Sequence, residues 1–241
     1  MMTASSTDVA RPSETTAIVA PAFRFGPHDT AISGAGGDHL DLYRNGLKRL
    51  FDLLAILVTL PVTVPLIALL AVLIRLNGGH SFYRQARIGR GGRVYTMWKL
   101  RSMVMAADAA LDAHLATDPA ARAEWDRTQK LKSDPRITRF GRLLRKSSLD
   151  ELPQLWNVFK GDMSLVGPRP MLPEQCQLYP GQAYYRLRPG ITGIWQVSAR
   201  NESSFADRAG FDADYDRTVS LRTDLGLLAA TVRVVLRGTG H

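Results

Sequence analysis

The chain has 241 residues, 31 Lys+Arg against 22 Asp+Glu and a formal net charge of +9, which calls for an anionic partner: nucleic acid, an acidic membrane surface or phosphorylated substrates. Its length accommodates one full core with appendages, or two small domains. A single cysteine, Cys176, excludes an intrachain disulfide and fits a reducing compartment, and five histidines without metal-ligand spacing argue against a zinc site.

Residues 1–40 are rich in Ser, Thr, Ala, Gly and Pro and hold too little clustered apolar surface to offset their ordering entropy, so a disordered tail is expected. No apolar h-region follows an early basic cluster, which disfavours a signal peptide. From Phe51 to Ile74 the chain is almost wholly apolar. As a straight helix this run would be about 36 Å long, enough to cross a bilayer. Pro61 and Pro65 interrupt it one turn apart, each removing a backbone donor. Basic residues flank both ends, Arg44, Lys48 and Arg49 before and Arg75, Arg84, Arg87 and Arg90 after, so loop charge gives no direction of crossing. The reading that meets both facts is a helix that enters the membrane, bends at the prolines and leaves on the same face, with Thr59 and Thr63 placed to serve freed carbonyls. A kinked single-pass anchor is the alternative, and a buried core helix is disfavoured by the length of the run.

Aromatic and basic residues alternate through Ser81–Gln85 and Arg93–Lys99 around the turn Gly89-Arg90-Gly91-Gly92, which reads as a β-hairpin. Arg84, Lys99 and Arg101 are candidates to converge on a phosphate, or else form its solvated or lipid-facing side. Met103 to Lys132 favours a helix pair broken at Asp118-Pro119, and Thr138 to Arg145 a basic helix.

The chemistry is expected at Ser147-Ser148-Leu149-Asp150-Glu151-Leu152-Pro153-Gln154. Ser148 and Glu151 have capping-box spacing, and Pro153 suits a first helical turn, so a helix is expected to begin close to Asp150. Adjacent carboxylates repel unless a cation or a raised pKa relieves them. Beside Arg139, Arg142, Arg145 and Lys146 at a helix start, Asp150 and Glu151 could hold Mg²⁺ and a diphosphate, leaving one carboxylate as nucleophile. The plainer alternative is that Glu151 only closes the capping box. Gly167-Pro168-Arg169-Pro170 predicts a rigid turn fixing Arg169, with a cis bond in view. Arg186 to Asn201 reads as a short strand with loops, able to bind a nucleotide through Trp195, Gln196 and Arg200 or else a surface loop packed by Trp195. Phe205–Tyr215 and Ser220–Arg237 look helical, the second as an amphipathic helix at a membrane face.

Taken together, KRLFDLLAILVTLPVTVPLIALLAVLIRL, SFYRQARIGRGGRVYTMWKLRSM, SSLDELPQLWNVFKGDMSLVGPRP and RPGITGIWQVSARN strongly resemble the bacterial sugar transferase family, the polyprenyl-phosphate hexose-1-phosphate transferases or monotopic phosphoglycosyl transferases. The resemblance covers roughly residues 44–240. It implies an α+β, mostly helical fold: an N-terminal re-entrant membrane helix over 44–76, a small β-hairpin and amphipathic interfacial helices within a catalytic domain over 77–241. It implies transfer of a hexose 1-phosphate from a UDP-sugar to undecaprenyl phosphate with release of UMP, a requirement for Mg²⁺, and a place in exopolysaccharide or related glycan assembly at the cytoplasmic face of the bacterial inner membrane. By motif, Asp150 is the nucleophile, Glu151 the magnesium ligand, and Arg169, Lys99 and Arg145 bind phosphate. Gln196 and Arg200 belong to the nucleotide region, and Pro65, with an extra Pro61, breaks the membrane helix. The chain departs from the family's common pattern at Val64, where serine often precedes the proline, and at Gly79-His80, where a glycine–proline step is common. The lack of further spans and of a large N-terminal domain places it among the short members. Partners implied are the lipid bilayer and downstream glycosyltransferases, with a homo-oligomer left open and no nucleic acid. A basic nucleic-acid binder would leave Phe51–Ile74 without purpose, and an inactive membrane-anchored scaffold would leave the Asp150-Glu151 pair without one.

Overall fold

The computed structural model describes residues 42–76, 78–128, 131–198 and 204–236. These all fall in one unit, and the expected tail at 1–40 lies outside them. Helix α1, Lys48–Leu76, follows a π-helical turn at Tyr43–Leu47 and contains both Pro61 and Pro65. Each proline deprives the carbonyl four residues earlier of its donor. The Thr59 hydroxyl donates to the carbonyls of Ala55 (2.8 Å) and Ile56 (3.2 Å) and therefore serves neither freed group, Leu57 nor Pro61. Leu54, Leu57, Val58, Leu60, Val62, Val64, Leu69 and Val72 are exposed, and the helix is long and apolar enough to cross a membrane.

Both ends of α1 nevertheless pack on the rest of the protein. Near its start, Asp52 is 1% exposed and accepts the Leu165 N–H at 3.1 Å, and Ile56 joins a core with Met97, Val158 and Met163. Near its end, Leu70 and Ile74 pack in a cluster with Leu100 and Leu144, and the Ser81 hydroxyl donates to the Ala71 carbonyl at 2.6 Å. Between these anchorages every residue from Leu57 to Val62 is exposed. A fully buried carboxylate fixes the helix base: Asp224 accepts from the Tyr43 and Tyr215 hydroxyls at 2.7 and 2.6 Å and from Lys48 at 2.5 Å. The lysine offsets the desolvated charge, and the two phenols satisfy its remaining lone pairs.

Strands β1, Phe82–Ile88, and β2, Val94–Leu100, form the expected antiparallel hairpin, with Gly91 and Gly92 at positive φ in its turn. A second pair joins β3, Ser164–Val166, which the sequence did not announce, in parallel to β4, Gly190–Thr192, the short strand expected within Arg186–Asn201. The helices α2, Ala107–Thr117, and α3, Pro119–Thr128, break as expected at Asp118, whose carboxylate caps α3 by accepting from Ala120 and Ala121. In α4, Arg139–Lys146, the Thr138 hydroxyl caps Gly141 at 2.9 Å. After α4 come α5, Gln154–Lys160; α6, Ala183–Arg186; and α7, Ile194–Ser198. The C-terminal helices are α8, Arg208–Thr218, and α9, Leu221–Leu236, with Leu221, Leu225, Val232 and Leu236 exposed on the latter. The α+β, mostly helical class therefore holds, with two small sheets in place of one hairpin.

Candidate active site

The Ser147–Gln154 stretch does not fold as a capped helix start. α4 runs to Lys146, leaving no room for an extended N-cap, and Ser148 takes the left-handed conformation at φ 57°, the one non-glycine positive φ among the described residues. That conformation costs about 1–2 kcal/mol for an L-residue with a Cβ. It reverses the chain into a 3₁₀ turn at Leu149–Glu151, and the regular helix α5 starts only at Gln154, after Pro153. The capping box therefore does not form: the Ser148 side chain caps nothing, and Glu151 Oε1 accepts instead from Lys99 Nζ at 2.8 Å. The plain capping role for Glu151 is thus overturned, whereas helical backbone does begin beside Asp150, at Leu149, as a 3₁₀ turn.

Position of the pair is set by Asn157, which sequence reasoning passed over. Fully buried in α5, it accepts from the Trp98 N–H at 3.0 Å and donates to the Thr96 carbonyl at 2.7 Å and to Asp162 at 3.1 Å. These bonds fasten α5 alongside β2 and bring Lys99 to the carboxylates. Asp150 is 5% exposed. Burial pushes its pKa above the ordinary carboxylate value and the Glu151 charge pushes the same way, while Lys99 and Arg145 pull it down. Both forms of relief expected for adjacent carboxylates are therefore present, a neighbouring cation and a raised pKa.

An open cleft of about 270 Å³ lies beside the pair, lined by Arg87, Met97, Lys99, Glu151, Gln154, Arg169, Pro170, Gly190, Ile191 and Gln196. Four expected site residues, Lys99, Glu151, Arg169 and Gln196, thus meet in one place. Asp150 sits behind the lining, and Arg145 acts on it electrostatically without lining the cleft. Arg200 lies outside the described residues. Gln196 and Trp195 stand on α7, not on a loop, and are 4% and 3% exposed. Burial on that scale removes Trp195 as an open stacking surface for a base. The Gly167–Pro170 turn is rigid without a cis bond, since every described peptide bond is trans. Its rigidity comes from backbone contact with β4: Gly167 N–H donates to the Thr192 carbonyl and Gly190 N–H to the Pro168 carbonyl, both at 2.8 Å.

Strand register corrects the expected convergence of Arg84, Lys99 and Arg101. Directly opposed residues share a face of the hairpin. Lys99 pairs with Tyr83, Met97 with Gln85 and Tyr95 with Arg87, so Lys99, buried Met97 and Arg87 all look into the cleft. Arg84 pairs with Trp98 on the other face and stacks 5.4 Å from its ring, and Arg101 turns away to the Gly78 carbonyl. Parity counted across the glycine turn would have found Arg87.

Two features suit a divalent cation to this site. The carboxylates are adjacent, and Glu151 reaches the cleft beside two arginines where a diphosphate would lie. Magnesium commonly uses one or two carboxylates and completes its shell with water and substrate phosphates; among the described residues no cluster of three acidic, histidine or cysteine ligands occurs.

Residues 43–238 match the bacterial sugar transferase family. The chain is 47% identical over 196 residues to a UDP-galactose-lipid carrier transferase of Erwinia amylovora, covering 80% of this chain and 41% of that protein. It is 43% identical over 196 residues to the exopolysaccharide production protein ExoY of Rhizobium meliloti, covering 80% and 87%. It is also 37% identical over 200 residues to a UDP-glucose:undecaprenyl-phosphate glucose-1-phosphate transferase of Caulobacter vibrioides, covering 78% and 69%. The chain spans about two fifths of the length of the Erwinia relative and most of the length of ExoY. With its acidic pair, its cationic cleft and its apolar helix all inside the matched span, the chain belongs to the bacterial sugar transferase family.

Proposed function

We propose that this protein transfers a hexose 1-phosphate from a UDP-sugar to undecaprenyl phosphate, an opening step of exopolysaccharide or related glycan assembly. The observation that carries the reading is the buried Asp150 next to Glu151, held between Lys99 and Arg145 at the edge of a cleft lined by Arg169.

In this mechanism a carboxylate oxygen of Asp150 attacks the sugar-bearing phosphorus of the donor. The bond from that phosphorus to the bridging oxygen breaks, its electron pair leaves with UMP, and an aspartyl-phosphosugar remains. A phosphate oxygen of the polyprenyl acceptor then attacks the same phosphorus, the aspartyl oxygen departs, and the carboxylate is regenerated with the lipid-linked diphosphate sugar. Lys99 and Arg145 favour the ionised form of Asp150 against its burial, and Arg169, in the cleft lining, is the group to face the phosphoryl oxygens. Glu151, with Asp150 beside it, would hold Mg²⁺, which when bound neutralises diphosphate charge. The test is UMP release by the purified full chain from a panel of UDP-sugars. Release is expected to require both Mg²⁺ and undecaprenyl phosphate for turnover, and no release from any donor would sink the reading.

We further propose that α1 is re-entrant, at the cytoplasmic face of the inner membrane. Support comes from the two anchorages of α1 on one body, with the wholly exposed Leu57–Val62 and the two prolines between them. A helix that crossed the bilayer would carry one of those ends to the far side. Cysteines at exposed Leu42 and Leu76, in a Cys176→Ser background, should both react with an impermeant maleimide from the cytoplasmic side of oriented vesicles. Labelling from opposite sides would establish a crossing helix.

A further inference from the structure

The sequence reading left Arg87 and Arg208 without a role, yet both surround Arg169. Arg87 faces the cleft; its terminal nitrogens donate to the Pro170 carbonyl (3.1 Å) and to Gln85 Oε1 (2.6 Å), and its Nε is shielded and has no partner. Arg208, 6% exposed, lies 4.4 Å from the ring centres of both Trp195 and Phe205, and its Nε also has no partner. Arg169 stacks on the same Trp195 at 5.4 Å. None of the three enters an ion pair among the described residues.

Charge compensation inside the protein is thin. Burial and the Arg169 charge push Arg87 down to about 10, and the groups that support it are the phenols of Tyr95, Tyr184 and Tyr83, which are neutral near pH 7. Burial and repulsion from Arg169 and Arg87 bring Arg208 to about 9, against one carboxylate, Asp212. Burial in turn pushes Asp212 up to about 7, with the Tyr179 hydrogen bond and Arg208 opposing, so near neutral pH its charge is only partly developed. Guanidinium groups stay protonated at such values, and the unfavourable environment is the kind an incoming anion relieves. Holding mutually repelling arginines together with one partly charged carboxylate, Asp212, beside them costs stability that a purely structural role would not repay.

We propose that Arg87, Arg169 and Arg208 form a three-arginine cradle for a diphosphate group, in which Arg87 contacts the phosphate and also pins the Arg169 turn through the Pro170 carbonyl, while Arg208 supports Arg169 through the shared Trp195 ring. Only the identity of that diphosphate as the donor's rests on the transferase reading. The acceptor brings a monophosphate, the other phosphoryl group these arginines can take, and in a ping-pong scheme kcat/KM for each substrate reports its own half-reaction.

Inorganic pyrophosphate serves as probe with the full chain in nanodiscs, its binding read from thermal unfolding. Wild type should be protected saturably, and Arg87→Gln should need at least tenfold more pyrophosphate for equal protection. Arg84→Gln, on the opposite hairpin face, should match wild type. Should the glutamine variant fail to fold, Arg87→Lys takes its place, since it keeps the charge and loses the planar fork. A loss of kcat/KM confined to the UDP-sugar places the donor's diphosphate in the cradle, and one confined to the polyprenyl phosphate places the acceptor's phosphate there. Protection of the Arg87 variant equal to wild type, or no protection of wild type, overturns the cradle. Pyrophosphate protection without UMP release would instead leave the cradle standing and remove the transferase function.

Discussion

Asp150→Asn should abolish turnover, by at least about a thousandfold, while leaving the protein as stable as wild type or more so at neutral pH. The two halves of this expectation have one cause. Asp150 is buried enough for its charged form to be disfavoured, yet the proposed chemistry needs the charged form as nucleophile. The amide keeps the shape and drops the charge. Lys99 keeps Glu151 as partner and Arg145 keeps Asp134, so neither cation is stranded. The direction of the pH dependence follows from the raised folded pKa. Between the ordinary carboxylate value and the raised one, the native state binds a proton that the unfolded state does not. Wild type therefore gains stability as pH falls through that window, and the stability advantage of Asp150→Asn is fully present above it and lost below it. Melting curves of both proteins across pH in metal-free buffer check this, together with mass spectrometry of each after exposure to UDP-sugar alone. A phosphosugar adduct is expected on wild type and absent from the variant. Continued turnover by Asp150→Asn would place the nucleophile elsewhere.

How far this site could be read from sequence depends on the range of each interaction. Lys99 and Arg169 meet at the cleft from segments whose local form the chain announces, a strand next to a glycine turn and a proline-bracketed arginine, whereas Gln196 reaches it from a short helix that reads as a glycine-punctuated loop. The α2–α3 break was legible for the same reason, since Asp118-Pro119 is both cap and breaker. Ser148 misled because S-x-x-E spacing is identical in a capping box and in a left-handed hinge. Only the position of the preceding helix end at Lys146 separates them. Asn157 was invisible because its partners Thr96 and Trp98 lie some sixty residues away, and Arg208 because a guanidinium close in sequence to Phe205 and Trp195 has no pattern that tells enclosure by their rings from exposure. The parallel β3–β4 pair, three residues a strand, is too short for any periodicity to show. Its trace in the sequence is the glycines at which the two backbones touch.

Those glycines carry the second large effect. A methyl on Gly190 would lie 2.1 Å from Gly167 N, and one on Gly167 would lie 2.2 Å from the Arg188 carbonyl oxygen. Both obstacles are backbone atoms, and Gly167 N is held by its hydrogen bond to the Thr192 carbonyl, so no side chain can swing aside. Overpacking a core against side chains costs about 1–3 kcal/mol. Against paired backbone the upper end or beyond is expected for Gly190→Ala, about 3 kcal/mol, or roughly 6–12 °C in Tm for a chain of this length. The damage should also reach chemistry, because the same contact seats the turn that carries Arg169 and the Pro170 carbonyl held by Arg87. A folded remnant of Gly190→Ala should accordingly have lost most of its affinity for pyrophosphate. The control is Gly210→Ala, in the first turn of α8, where an added methyl would meet open space; relieving a helix of glycine should there be neutral or stabilise by up to about 1 kcal/mol. Thermal unfolding of the two variants in parallel decides the matter. If Gly190→Ala melts with wild type, the strands do not meet as closely as described, and the backbone contact cannot be what fixes Arg169 over the cleft.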